Sequence, residues 1–155
     1  MHSLGRMTGL PVVTDGKLLG RVERGVLEKD AHGLRGLVVR KGLGAAKWVP
    51  SGNITVLGGA CVLVQGAPQR LPKDCAPGLT HVYGTSGEML GMVTDVLLSP
   101  ETLRVTGLEI SYGPVYRLLG QRTVVTRFGL AAGPGDVVAV GETESEREAK
   151  EGNGT

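Results

Sequence analysis

The feature that most constrains this chain is that it is written twice. The stretch GKLLGRV, residues 16–22, returns as GEMLGMV, residues 87–93. At an offset of 71, Gly16, Leu19, Gly20 and Val22 meet Gly87, Leu90, Gly91 and Val93. The register continues through Leu27 and Leu98, Gly36 and Gly107, and Leu37 and Leu108. Five extra residues near Gly113–Arg117 then move the offset to 76. There Leu43-Gly44 meets Leu119-Gly120, Val49 meets Val125, Gly59 meets Gly135, and Val62 and Val64 meet Val138 and Val140. A match sustained this far with one insertion is an internal duplication.

The copies span residues 10–65 and 81–141. Residues 1–9 precede them, and nothing before Met7, which reads as an alternative start, is expected to be structured. Residues 66–80, GAPQRLPKDCAPGLT, hold three prolines and read as an extended linker. Residues 142–155 carry five acids and two bases without an aliphatic core residue other than alanine, and read as a disordered acidic tail.

Each copy reads as short strands. LPVVT or HVYGT comes first, then a turn at Asp15-Gly16 or Ser86-Gly87, then GRVERGVLE or GMVTDVLLS. After a second turn come LRGLVVR or RVTGLEIS, where Leu108 and Ile110 share one face and Glu109 the other. KWVP or TVVT and finally ACVLV or DVVAV complete the copy. Aromatic residues are only 3% of the chain, so the core must be aliphatic, and 26 glycines suit many tight turns. Five or six antiparallel strands per copy, with no helix, predict an all-β fold of two tandem small barrels, because closure removes sheet edges.

The order of these signals resembles the PRC-barrel family. That fold is shared by the cytoplasmic part of the photosynthetic reaction-centre H subunit, the C-terminal domain of the ribosome-maturation factor RimM and small sporulation-associated proteins of Gram-positive bacteria. The carrying residues are Gly16, Lys17, Leu19, Gly20 and Val22, the strand Thr106, Gly107, Leu108 and Ile110, the Ser99–Thr102 turn before it, and the V-x-V strand that ends each copy. The resemblance implies two PRC barrels, no common catalytic residue, and an adaptor that docks onto larger assemblies.

The residues themselves offer little chemistry. Gly42-Leu-Gly-Ala-Ala-Lys47 lacks the third small residue and the following helix of a dinucleotide loop. Ser86 lacks the strand-turn-helix setting of a nucleophile elbow. His2, His32 and His81 have no metal-ligand spacing with Cys61 or Cys75, and two cysteines make no disulfide framework. No catalytic, cofactor or metal residue is expected, and the protein is read as non-enzymatic and cytoplasmic.

Charge points to a partner instead. Residues 1–72 carry ten Lys/Arg against four Asp/Glu, whereas residues 73–155 carry seven against eleven. The basic first copy suits an anionic partner: an acidic protein, RNA or an anionic membrane surface. Arg40, Lys41 and Lys47 cluster on its loop, beside Trp48, which is expected to fill the core of its barrel. The inserted loop of the second copy offers Tyr112, Tyr116 and Arg117, residue types enriched at interface hot spots. A protein partner is the first expectation. RNA-associated ribosome maturation, or a small ligand held between the barrels, is the alternative, and a homo-oligomer is compatible with either.

Overall fold

The computed structural model describes residues 2–111, 123–131, 133, 135–140 and 144–145. The chain opens with a short extended stretch, β1 (His2–Ser3), and one helical turn, α1 (Leu4–Met7). Six strands of the first copy follow: β2 (Pro11–Thr14), β3 (Lys17–Leu27), β4 (Leu34–Arg40), β5 (Lys47–Pro50), β6 (Ile54–Leu57) and β7 (Val62–Val64). The second copy repeats them as β8 (His81–Tyr83), β9 (Met89–Leu98), β10 (Val105–Ser111), β11 (Thr123–Val125), β12 (Phe128–Leu130) and β13 (Asp136–Ala139), and β14 (Glu144–Ser145) follows.

The architecture is all-β, in two curled sheets. The first runs in the order β5-β4-β3-β2-β7-β6. The second runs β11-β10-β9-β8-β13-β12, the same order strand for strand, with β14 added beside β11. The duplication seen in the sequence is therefore a duplication of topology. One expectation fails here: the strands are not all antiparallel. β2 lies parallel to β7, and β8 lies parallel to β13. The first and last strands of a copy are brought together by the curl of the sheet, and no local turn signal announces such a pairing.

Register corrects the sequence match in two places. Val12 pairs with Gly20 and Val62, whereas Val82 pairs with Gly91 and Val137. Thus Val12 corresponds to Val82, an offset of 70, because the turn before β9 is one residue longer. Likewise Val62 and Val64 correspond to Val137 and Ala139, and not to Val138 and Val140. The reason is parity: a one-residue slip in a strand turns every side chain to the opposite face. Val12, Val62, Val82 and Val137 are fully buried, while Val140 is half exposed.

Both sheets carry a glycine at the same position with a backbone conformation that side chains rarely adopt. Gly20 has φ +155° and Gly91 φ +156°. A Cβ on Gly20 would lie 2.8 Å from the Arg40 backbone, and one on Gly91 3.0 Å from that of Ser111. Arg40 and Ser111 are themselves 71 apart, so the repeated Leu-Gly pair marks the point where β3 or β9 presses against the end of β4 or β10.

The compact units do not follow the copies. The first comprises residues 1–76 together with 98–105, the hairpin tip between β9 and β10; the second comprises 77–97 and the described residues from 106 on. In the first unit Leu98 joins the core formed by Met7, Val12, Val22, Leu37 and Val49, with Leu103 and Val105 packed against it. The Leu34 N–H donates to Leu103 O at 2.9 Å, and the Val105 N–H donates to His32 O at 2.9 Å, flanking a bridge between Gly33 and Arg104. Gly33 and Arg104 occupy equivalent positions in the two copies, so like pairs with like.

The N-terminal residues also join this core, contrary to the expectation that they lack structure. Ser3 Oγ accepts from the Arg6 N–H at 3.1 Å and so caps the helical turn. Met7 is 1% exposed and Leu4 packs on the same cluster.

Candidate docking surface

The hairpin joining β4 to β5 carries three of the six residues singled out from the sequence. Arg40, Lys41 and Lys47 come together there, at the two ends of the loop that joins the strands over residues 41–46. Their roles divide. Arg40 Nε donates to Glu23 Oε1 at 3.1 Å and its Nη1 donates to Gly44 O at 2.9 Å. Its charge is met by Glu23, and its guanidinium ties the loop to β3. Lys41 and Lys47 are exposed, and neither is within an ion pair among the described residues. Between them stands Leu43, more exposed than any other large apolar side chain among the described residues, at 105% of its reference area. Sequence reasoning passed over Leu43; its repeat partner Leu119 was the available signal. Tyr112, Tyr116 and Arg117 lie outside the described residues.

Trp48 is buried, at 4% exposure, but not in the main core that it was expected to fill. Along β5 the neighbouring Val49 faces the main core, so Trp48 faces outward, where it forms a second cluster with Val26 and Val38. Gly36 makes room for it: a Cβ there would run into the indole ring. The second copy keeps the glycine, Gly107, beneath the smaller Val124.

The linker covers this outer cluster. Leu71 and Cys75 pack on it. Gln69 bridges to Trp48 through reciprocal backbone hydrogen bonds of 2.8 and 2.9 Å. Arg35 stacks 5.8 Å from the Trp48 ring centroid, and donates from Nη2 to Asp74 Oδ1 and from Nη1 to Asp74 O, both at 3.1 Å. The proline-rich segment thus acts as a strap across the face of β3, β4 and β5. The strap has a counterpart: Glu144 in β14 pairs with Val124, the repeat equivalent of Trp48. Each copy is followed by a segment that returns to its fourth strand. Glu144–Ser145, expected to be disordered, form that strand; the rest of the tail lies outside the described residues.

Electrostatics secures the strap at one point. The hydrogen bond from Arg35, with its charge and then that of Lys29 at 3.7 Å, holds the Asp74 carboxyl below the usual aspartate range. A depressed carboxylate favours the strapped state when ionised and stops doing so as the pH falls through its lowered pKa. Asp74 is at the surface, so global stability should barely register its loss. In Asp74→Asn, hydrogen exchange at the Gln69 amide is expected to accelerate several-fold while the Leu37 amide stays protected. The wild type should show the same loosening only on acidification below the ordinary aspartate range. Unchanged Gln69 exchange in the variant would remove the clamp from the account.

Other polar contacts brace the fold. His81 Nδ1 lies 3.3 Å from Asp136 Oδ1, joining β8 to β13, and the Thr80 hydroxyl donates to the same carboxylate at 3.4 Å. The hydroxyl thus meets the carboxylate and not the imidazole, which is the wrong order for an activated nucleophile. Among the described residues no three His, Cys, Asp or Glu side chains gather as a metal ion would need, and no helix is long and apolar enough to cross a membrane.

No protein-family model matches the chain, and no curated protein matches it.

Proposed function

We propose that this protein is a non-enzymatic, cytoplasmic adaptor with two PRC-type barrels, and that it docks onto a larger protein assembly through the β4–β5 hairpin. The observation that carries the reading is the fully exposed Leu43 between two unpaired lysines, on a loop whose base Arg40 locks to Glu23. An apolar side chain held out on a rigid hairpin gains nothing for folding. Buried against a partner it is worth about 1.5–3 kcal/mol, and the lysines steer an acidic surface towards it. The sequence match extends the site to the loop of the second copy, where Tyr112, Tyr116, Arg117 and Leu119 stand in the corresponding stretch.

The test is affinity capture with Leu43→Asp and with Lys41→Glu combined with Lys47→Glu. All three side chains are exposed, so the thermal midpoint should not move. Recovery of the partner bound by the wild type is expected to fall tenfold or more in both variants. Recovery unchanged in both would move docking away from this hairpin. The basic balance of residues 1–72 favours RNA as the second reading; partners lost on RNase treatment and at raised salt would establish it.

A further inference from the structure

We propose that this protein binds itself: the outer face of the first sheet in one molecule packs on the outer face of the second sheet in another. Val12 and Val62 are fully buried, so their neighbours Val13 and Leu63 point away from the core. Register sets these two in one row. Leu18 pairs with Val13, Val13 with Leu63, and Leu63 with Val56. The row crosses four strands, a span of roughly 14 Å at the usual strand spacing. Leu18, Leu63 and Val56 are 44%, 38% and 49% exposed, and Val13 is half-buried. The second sheet repeats the row, with Met89 paired to Tyr83 and Tyr83 to Val138. Met89 is 48% exposed, and Tyr83 and Val138 are half-buried. Apolar side chains scattered singly over a surface are ordinary. A contiguous row, kept at equivalent positions in both copies, marks an interaction surface.

Charge selects the partner. The residue just before Leu18 is Lys17, and the one just before Met89 is Glu88, at equivalent positions of the two copies. Both are exposed, and neither is in an ion pair among the described residues. Further along the first face Arg21 stands opposite Pro11, exposed, with its Nη1 donating to Gly9 O at 3.0 Å. At the same place the second face has Met92 opposite His81, which is held by the Asp136 carboxylate. Asp15 tempers the first face at its turn, where the second has Ser86. The rim of the first row is thus mainly cationic and that of the second anionic. Two first faces would set Lys17 against Lys17, and two second faces Glu88 against Glu88. A first face on a second face sets Lys17 against Glu88, and such complementarity chooses among partners of similar apolar character. A contact between unlike faces either closes into a pair of molecules or runs on into a longer assembly. The β4–β5 hairpin is no part of these rows, and the proposal stands whether or not that hairpin docks anything.

The experiment is sedimentation velocity of the full chain over a concentration series reaching about 1 mM, the weak end of specific association. Reversible association is expected, weakening as salt is raised. A dimer indicates a closed contact and larger species an open one, and both support the proposal. Leu63→Thr and Met89→Thr are each expected to weaken association by about tenfold or more, as the loss of a central apolar contact does. Lys17→Glu and Glu88→Lys should each weaken it about fivefold, the upper range for an exposed pair. The double variant carrying both reversals should recover the wild-type strength, because the pair is restored with its signs exchanged. Leu43→Asp should leave association as it is. If Leu63→Thr lowers the thermal midpoint, the charge reversals decide, since Lys17 and Glu88 are exposed beside turns. A monomer throughout the series overturns the proposal and leaves the rows to another protein or a lipid surface. Stronger association in Lys17→Glu, or a double variant no better than the single ones, overturns it as well.

Discussion

A fragment ending at residue 80 is expected not to fold as the first unit does in the whole chain, although it contains one complete copy. The first unit's core includes Leu98, at 4% exposure, with Leu103 and Val105 packed against it, all contributed by the second copy. Burial of a side chain of this kind is worth about 1.5–3 kcal/mol, and a domain has about 5–15 kcal/mol in total. Losing three such contacts, and leaving the Leu34 N–H and the His32 carbonyl without their partners, removes a large part of that stability. Circular dichroism and urea titration of residues 1–80 should show no cooperative transition, whereas the full chain should show one. In the full chain, Leu98→Ala should cost about 2–5 kcal/mol, the range for a buried leucine. A fragment that unfolds cooperatively with the wild-type midpoint would show that the hairpin tip is dispensable.

Replacing Gly20, a buried strand position, by alanine is expected to be among the most damaging glycine substitutions in the protein. Its φ of +155° lies where side chains are strained, and the new Cβ would stand 2.8 Å from the Arg40 carbonyl carbon and oxygen. Backbone cannot swing aside as a flexible side chain can. Strain of this kind costs about 1–3 kcal/mol, and overpacking against a fixed neighbour adds about 1–3 kcal/mol more. Gly91→Ala should behave alike, with its contact at 3.0 Å. The control is Gly52→Ala, where a Cβ meets nothing within 4 Å. Urea denaturation that places Gly20→Ala within about 0.5 kcal/mol of that control, the ordinary surface range, would mean that β3 moves off β4 at little cost.

Of the proposed docking surface, the charges were legible and the apolar tip was not. Arg40, Lys41 and Lys47 declare themselves by clustering, but only geometry separates Arg40, spent on Glu23 and Gly44, from the two exposed lysines. Trp48 was legible as buried and misread as to where. Alternation along KWVP sends Trp48 and Val49 to opposite faces, yet an outward tryptophan reads as exposed unless something covers it. What covers it is the strap, from a segment whose three prolines read only as an extended linker. Nothing local says that Gln69 returns to β5 or that Asp74 meets Arg35, thirty-nine residues away.

The sequence by itself determined the duplication, the strand content and the turn glycines Gly16 and Gly87. These depend on alternation, turn chemistry and backbone conformation, which act over a few residues and are therefore written in neighbouring letters. Tertiary structure decided the rest: the parallel pairing of first and last strands, the true offset of Val62 to Val137, the strap over Trp48, and the gift of residues 98–105 to the first unit's core. Each depends on which buried faces meet in space, and burial is a property of the assembled sheet and not of any one segment.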